Sequence, residues 1–368
     1  MKKILLLAIT LSSLLFAQSE TETCKKCHPD IVKEFEGSMH KNSTYYDDEI
    51  HKAVWDISPS KANSDYSCAE CHAPNAKDEK EIAQGITCAS CHNIKDVEEH
   101  AGANKNVFSK DKKTFYSAEA GRENEKVVYK QESSWLGMNK TTVGSPYHDI
   151  DYTNEKYYNA QMCMGCHSHR QNSSEFMICK TGDAGAQSKE ENCITCHMPK
   201  VDGTATTIRQ SEKHAFHGFA GSHKNPEMLS QYVDLEFGKS SNGFDVLVTN
   251  KAPHDLMLHP LRVTELRVKV TTEKESKSLK TFTFIKVIGN EDGPSMPWLA
   301  NKVIVDTMLK ANEKRAIPYT ETLKKGDKVE VELGYYLVNP KALKKLNLEG
   351  NKKAEKFTVL KQKSFIVE

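Results

Sequence analysis

Apolar and polar residues alternate in short segments over the last part of the chain. From about residue 232 onwards these segments have a period of two, which predicts antiparallel strands with one solvated face. Turn sequences rich in Gly, Ser, Asn and Asp separate them, for example at 238–243 and 325–327. The predicted strands are 233–237, 244–248, 261–270, 281–288, 302–306, 329–337 and 357–367.

The region before residue 232 lacks this alternation. Residues 29–38 and 154–166 have the pattern of short helical segments, and most of the remainder is predicted to be loop. Residues 119–130 carry too many charges to be buried, so we expect a surface excursion there.

The first residues are typical of an exported protein. Lys2 and Lys3 precede an apolar run over 4–16, and Ala17 is a small residue suited to cleavage. The run is short for a bilayer span, although an uncleaved anchor helix is the alternative. We therefore expect a signal peptide over 1–17 and a mature chain in the periplasm, without an integral membrane span.

Ten of the 11 cysteines fall into five copies of the motif Cys-x-x-Cys-His. Disulfides and structural zinc also use closely spaced cysteines in exported proteins. Five repeats of this spacing are instead typical of covalent attachment of c-type haem, in which the adjacent histidine becomes an iron ligand. The predicted attachment residues are Cys24, Cys27, Cys68, Cys71, Cys88, Cys91, Cys163, Cys166, Cys193 and Cys196, and the predicted proximal ligands are His28, His72, His92, His167 and His197.

Five haems over residues 24–197 leave little room for an ordinary side-chain core. We therefore expect a domain over 18–231, mostly α-helix and loop, that is built around the haems and does not fold without them. The predicted strands form a second domain over 232–368, and their number is typical of an all-β immunoglobulin-like sandwich.

The sixth position of each iron needs a ligand, and ten further histidines are present. This supply suits bis-histidine ligation, which favours electron transfer. Methionine would raise the reduction potentials instead. We interpret Met39, Met162, Met164 and Met198 as residues that pack against haem.

Several local patterns resemble the multihaem cytochrome c superfamily that includes hydroxylamine oxidoreductase and its tetrahaem electron acceptor. They are Ser38-Met39-His40, Gly85-Ile86-Thr87 followed by His100, Cys179-Lys180-Thr181 before the fifth motif, and the segment 217–223 followed by 226–229. The resemblance covers about residues 24–230. It implies closely packed haem pairs whose distal histidines come from remote segments of the chain.

The resemblance also implies a set of distal ligands. His40, His100, His217 and His223 match its elements, whereas His148 is chosen for its position before the fourth motif. His254 ends a turn, 249–254, that is similar to one in members of that superfamily. This turn lacks the glycine that usually precedes the histidine and the Pro-Thr-Gly that usually follows it. The reserve candidates are His51, His169, His214 and His254; His259 is interpreted as structural and Cys179 as a packed thiol.

The 50 acidic and 51 basic side chains nearly cancel, which argues against nucleic-acid binding. The charge is uneven, with −7 over 18–231 and +6 over 232–368. This asymmetry suits docking between the two regions or steering of an acidic redox partner, while plain solubility is the simpler explanation.

Two functions from different classes follow. The first is an electron carrier between periplasmic redox proteins such as a dehydrogenase, a quinol-linked cytochrome or a terminal reductase. The alternative is an oxidoreductase that acts on a small nitrogen or sulfur species at one five-coordinate haem. All five motifs end in histidine, and ten spare histidines can close all five sites, which favours the carrier. A subunit that only conducts electrons within a larger assembly is a third possibility.

Overall fold

The computed structural model describes residues 20–133, 140–181 and 188–368. The predicted signal peptide over 1–17 lies outside the described residues. No helix within the described ranges is long and apolar enough to cross a bilayer.

Helices in the first region are short. The prediction for 29–38 is confirmed by α2, whereas 154–166 forms two 3-10 turns, Glu155–Tyr157 and Gln161–Cys163, followed by a single α-helical turn. The α-helices of the described residues are α1 (Glu20–Lys25), α2 (Pro29–Glu36), α3 (Glu49–Asp56), α4 (Ala69–His72), α5 (Glu79–Ile82), α6 (Cys88–His92), α7 (Met164–His167) and α8 (Cys193–His197).

Short strands are numerous in this region, beside the helices and loops that the sequence predicts. Most of them pair as small two-stranded or three-stranded sheets. Segments of two to five residues are too short and too polar for their alternation to be recognised in the sequence. The strands are β1 (Ile94–Glu98), β2 (Lys105–Phe108), β3 (Thr114–Tyr116), β4 (Lys126–Val127), β5 (Lys130–Ser133), β6 (Lys140–Val143), β7 (Asp149–Asp151), β8 (His169–Gln171), β9 (Met177–Lys180), β10 (Lys200–Asp202) and β11 (Lys213–Ala215).

The last region is built of longer antiparallel strands. One sheet has the order β12-β13-β20, a second has the order β15-β14-β21-β22 with β16 also paired to β14, and a third has the order β18-β17-β19. The strands are β12 (Val233–Ser240), β13 (Gly243–Asn250), β14 (Val263–Thr271), β15 (Ser276–Ser278), β16 (Phe282–Phe284), β17 (Lys286–Asn290), β18 (Gly293–Pro294), β19 (Lys302–Asp306), β20 (Lys314–Tyr319), β21 (Lys328–Tyr336) and β22 (Phe357–Ile366).

Alternation in the sequence explains how these sheets pack. In β13 every second residue, from Phe244 through Val246 and Val248 to Asn250, is fully buried. These side chains join those of β14 and β21 in one core, since successive residues of a strand point to opposite faces. The region is therefore β-rich as expected, while an immunoglobulin-like topology stays a prediction.

Two strand predictions need correction. The segment 281–288 is split between β16 and β17, and β20 was missed. Pro318 lies inside β20, and proline within a strand weakens the sequence signal because it cannot donate to the ladder. Ile317 and Tyr319 of this strand are nevertheless buried against β13.

The two regions touch along a defined surface. Ile50 and Ala53 of α3 belong to the same apolar core as the strands. The Tyr335 hydroxyl donates to the Ser222 carbonyl oxygen at 2.5 Å. A third link is the ion pair between Lys353 Nζ and Asp48 Oδ1 at 2.9 Å. The strand region therefore packs directly against the first region.

Candidate haem-binding site

Four of the five Cys-x-x-Cys-His motifs end a short helix. In α6 and α8 the whole motif is helical, and α4 and α7 end on the motif histidines His72 and His167. Cysteines three residues apart lie on one face of such a helical turn. Side-chain caps fix where two of these turns begin: Thr87 accepts from Ser90 N, and Asn192 accepts from Thr195 N.

Thiols of three different motifs lie against one another. Contact between the thiols of Cys71 and Cys166 raises the pKa of Cys71, and contact between Cys163 and Cys193 raises that of Cys163. The second, fourth and fifth motifs are therefore neighbours in space. Burial raises the pKa of Cys179, which keeps it a thiol rather than a reactive thiolate.

Backbone carbonyl groups orient four of the motif histidines. In each case Nδ1 lies 2.6 or 2.7 Å from a carbonyl oxygen that can only accept, so Nδ1 must donate its hydrogen. The lone pair of the neutral ring is then on Nε2, the nitrogen that binds iron. The pairs are His28 with Ala205, His72 with Ser43, His92 with Tyr116, and His197 with Ala220.

Four motif histidines face a second imidazole at nearly the same spacing. A metal held between two imidazoles, each with a nitrogen about 2 Å away, separates the ring centres by roughly 6 Å. The observed ring centres are 6.0–6.4 Å apart, so the spacing fits an iron between each pair. The pairs are His28 with His148 at 6.1 Å, His167 with His40 at 6.0 Å, His92 with His217 at 6.4 Å, and His197 with His254 at 6.2 Å.

The second motif differs from the other four in the spacing between its histidine and the neighbouring imidazole. The ring of His51 lies 4.4 Å from that of His72, too close for a metal between them. The Nε2 atom of His51 is hydrogen-bonded to the Tyr66 hydroxyl at 2.9 Å. Among the residues that the structure describes, no imidazole lies about 6 Å from His72.

The predicted distal ligands therefore separate into two groups. His40, His148 and His217 each face a motif histidine, whereas His100 and His223 do not. The His100 side chain is 44% exposed, with Nε2 3.7 Å from Glu98. His223 has a buried Nδ1 without a hydrogen-bond partner. The assignment of His100 and His223 as ligands stays a prediction.

His254 was only a reserve candidate, yet it faces His197. Its position follows from Asn250, which is fully buried and whose amide donates to the carbonyl oxygens of His254 at 2.8 Å and Lys310 at 2.9 Å. The His254 ring also has Nδ1 2.9 Å from the Asp255 carbonyl oxygen. The turn after β13 thus carries an imidazole from the strand region to the fifth motif.

Helix α2 and a neighbouring loop position two of the distal histidines. Glu34 accepts from the His217 backbone N–H at 2.8 Å, which fixes the segment after β11. The loop at His40 is held by Ile86, whose N–H donates to the His40 carbonyl oxygen at 3.1 Å. Gly85 precedes this contact with φ +69°, and a Cβ there would meet the Lys41 carbonyl oxygen at 2.3 Å, so only glycine fits.

Three other histidines already use a ring nitrogen within the protein. His214 has Nδ1 3.0 Å from the Gly203 carbonyl oxygen and Nε2 3.0 Å from Glu34. His169 Nε2 lies 2.8 Å from the His100 carbonyl oxygen. His259 Nδ1 accepts from the Leu261 N–H at 3.2 Å. Both ring nitrogens of His214 are thus bonded within the protein, which gives it a structural role, whereas the roles of His169 and His259 stay predictions.

Burial keeps several of the facing imidazoles neutral. It lowers the pKa of His40 and of His217 to about 3. Burial also lowers the pKa values of His167 and His197 below the ordinary range. Only a neutral imidazole has the lone pair that binds a metal, so these side chains are in the state that ligation requires.

The chain is similar to known cytochromes. Residues 23–93, which include the first three motifs, match the family model described as cytochrome c554 and c-prime. The chain is similar to the crystal structure of a penta-heme cytochrome c552 from Thermochromatium tepidum, with 21% identity, a TM-score of 0.69, and coverage of 95% of this chain and 99% of that one. A search of curated proteins finds no match. The chain therefore shares the fold of that cytochrome over nearly its whole length.

Proposed function

We propose that this chain is a periplasmic electron-transfer protein with five covalently attached c-type haems. The observation that carries the proposal is the set of four facing imidazole pairs at 6.0–6.4 Å, each containing one histidine of a Cys-x-x-Cys-His motif. The cytochrome c554 match over 23–93 and the penta-heme fold support the same class.

The protein's own residues have three tasks in this proposal. The cysteines would hold each haem covalently, and the four imidazole pairs would bind iron. Burial keeps the imidazole of His197 neutral, and the Ala220 carbonyl oxygen fixes its ring. Haem supplies one-electron exchange, and histidine pairs hold its iron in a geometry that changes little between oxidation states.

Export and the choice of partner belong to the same proposal. The signal-like sequence over 1–17 supports a periplasmic location. Charges of −7 over 18–231 and +6 over 232–368 support an encounter with a charged redox protein such as a dehydrogenase or a terminal reductase. An immunoglobulin-like topology of the strand region is proposed on its two larger sheets.

One observation favours the oxidoreductase as a second candidate. His72 has no imidazole at ligand distance among the described residues, and its neighbour His51 is bonded to Tyr66. Burial lowers the pKa of His259 to about 3, with smaller contributions from the charges of Arg262, His223 and His72. Polar groups therefore lie near this motif. A haem open on one side beside polar groups is the arrangement that small substrates require.

A spectroscopic experiment separates the two candidates. The purified holoprotein is examined by a pyridine haemochrome count, by electron paramagnetic resonance of the ferric form, and by carbon monoxide addition after reduction. The carrier predicts five haems per chain, low-spin signals alone and no response to carbon monoxide. One high-spin haem that binds carbon monoxide would favour the oxidoreductase. A count other than five would contradict both.

His51 and His148 provide a matched pair of variants. His148→Ala should convert one low-spin haem to high-spin, because the His148 ring faces His28 at 6.1 Å. His51→Ala should leave the spin states unchanged, because that ring is too close to His72 to share a metal with it. A spin change in His51→Ala alone would overturn the assignment of ligands.

A further inference from the structure

Strand β19 lies at the edge of the three-stranded sheet β18-β17-β19 and has the sequence Lys-Val-Ile-Val-Asp. Val303 is 44% exposed, and Ile304 and Val305 are each 40% exposed. Since consecutive side chains of a strand point to opposite faces, three exposed apolar residues in a row leave both faces of the strand uncovered. Among the described residues, no strand pairs with its outer edge. Uncovered apolar edges are templates for pairing with another strand.

The five residues of β19 are complementary to themselves when two copies run antiparallel. A two-fold axis through Ile304 places Lys302 of one copy opposite Asp306 of the other, at both ends of the pair. The same axis places Val303 opposite Val305 and Ile304 opposite itself. Opposite charges and β-branched residues are the cross-strand pairs that stabilise sheets.

We propose that β19 pairs with β19 of a second copy of this chain, forming a two-fold symmetric dimer through a continuous sheet. The interface is isologous, so each contact occurs twice. Leu299, which is 57% exposed and precedes the strand, extends the apolar surface.

Existing contacts of the charged residues leave this pairing open. Lys302 Nζ lies 2.7 Å from Glu291, whose side chain is 82% exposed, and Asp306 lies 2.6 Å from Lys310. Ion pairs in such exposed positions contribute little to stability and can be shared with a second partner. The register shift between β17 and β19 leaves Ile304 outside the ladder, with its side chain near Gly289 of β17 and still 40% exposed at the centre of the axis.

The small size of this interface sets the expected strength. A stable dimer usually buries roughly 1,600 Å² in total, and five residues per copy bury much less. We therefore expect a weak dimer that forms as the protein concentration rises. Specificity comes from the two Lys-Asp pairs, because a parallel alignment would place like charges opposite one another.

Analytical ultracentrifugation of the holoprotein over a range of concentrations tests the proposal. The wild type should approach twice the monomer mass at high concentration, and Ile304→Lys should remain monomeric. Lys302→Asp alone and Asp306→Lys alone should each weaken the dimer at least about tenfold, because each places like charges opposite one another. Ile208→Lys is the matched control, since Ile208 is 54% exposed but lies outside β19.

Charge exchange makes the test specific to self-pairing. An equal mixture of the Lys302→Asp and Asp306→Lys variants should regain dimers, because each copy then offers charges opposite to those of the other. The double variant Lys302→Asp/Asp306→Lys should dimerise like the wild type. Haem absorbance and thermal unfolding, unchanged in every variant, establish that the fold is retained. A monomeric wild type at all concentrations, or failure of the mixture to regain dimers, would overturn the proposal.

Discussion

The region over 20–231 and the region over 232–368 bury their residues in different ways. Within the described residues, 29 apolar residues are buried in the second region and 13 in the first, although the first is longer. The strand region fills its interior with Val, Leu and aromatic side chains that contact one another. The first region instead gathers imidazoles and thiols, which make a poor apolar core by themselves.

The two regions also differ in how many buried polar atoms lack a hydrogen-bond partner. Of the eight buried side-chain N or O atoms without a hydrogen-bond partner in the described residues, six belong to the first region, including Nδ1 of His40 and of His148. Only Thr264 and Tyr319 contribute such atoms in the strand region. The strand region therefore satisfies most of its own buried polar groups, whereas the first region is organised around groups that bind a cofactor.

The difference in stability between the two regions should be largest when the full chain is produced without haem attachment. We expect 20–231 to lose its fold, since few apolar residues there can stabilise it, while the sheets of 232–368 persist. Hydrogen exchange read by mass spectrometry would show fast exchange in α2 and α6 and slow exchange in β13 and β21. The holoprotein is the control. Equal protection of both regions without haem would contradict the prediction.

Loss of one axial ligand should have the next largest effect. His217→Ala removes the ring that faces His92 at 6.4 Å, so about one fifth of the low-spin signal should become high-spin. His214→Ala is the matched control three residues away, because both nitrogens of His214 are already bonded to Gly203 and Glu34. A spin change in the control and none in His217→Ala would reverse the two roles.

The sequence predicted the strand region over 232–368 more completely than the region over 20–231. Alternation identified seven strand segments, most of which have a buried face, whereas β20, interrupted by Pro318, and the short β15 and β18 escaped it. The five motifs likewise predict the proximal histidines and the haem-attaching cysteines directly, and four of these histidines face a second imidazole.

The pairing of imidazoles depends on contacts between distant segments, which no local pattern encodes. His254 faces His197 because buried Asn250 shapes a turn 57 residues further along the chain. The flanking residues of that turn depart from the pattern of relatives, so the signal was present but incomplete. The carbonyl oxygens that orient the motif histidines, such as that of Ser43, are backbone atoms without any sequence signature.

Cavity formation in the strand core should affect stability without affecting the haems. Leu333 is fully buried in β21, and Leu333→Ala should cost about 2–5 kcal/mol of the free energy of unfolding of that region. Denaturant unfolding followed by hydrogen exchange of β13 and β21 measures the loss. The exposed Val359→Ala on neighbouring β22 is the control and should have little effect. A change in the low-spin spectrum of Leu333→Ala at neutral pH would contradict the expectation that the effect is confined to the strand core.

Acid should affect the first region before the second. The pKa values of His40 and His217 are lowered by burial to about 3, whereas an imidazole in the unfolded chain has a pKa of about 6.5. Below pH 6.5 the unfolded state therefore binds more protons, and the stability supplied by these neutral rings is lost progressively as the pH falls towards 3. Among the described residues of the strand region only His259 has a histidine pKa lowered by burial, whereas the first region has several such rings. A pH titration of the low-spin spectrum, with circular dichroism of the sheets, should show the haem signal failing first; simultaneous loss would contradict this order.

The smallest effect is expected where the two regions meet. The fully buried Tyr335 donates its hydroxyl hydrogen to the Ser222 carbonyl oxygen at 2.5 Å, next to His223. Tyr335→Phe removes this bond and should cost about 1 kcal/mol. Tyr336→Phe is the matched control, because the Tyr336 hydroxyl accepts from Arg267 within the strand region at 2.9 Å.

Thermal unfolding followed both by haem absorbance and by circular dichroism distinguishes the two tyrosine variants. If the Tyr335 bond couples the regions, Tyr335→Phe lowers the midpoint of the haem transition as well as that of the strands. Tyr336→Phe should then lower the strand transition alone. Identical behaviour of the two variants would mean that the regions are coupled by their apolar contact through Ile50 and Ala53, and not by the Tyr335 hydroxyl.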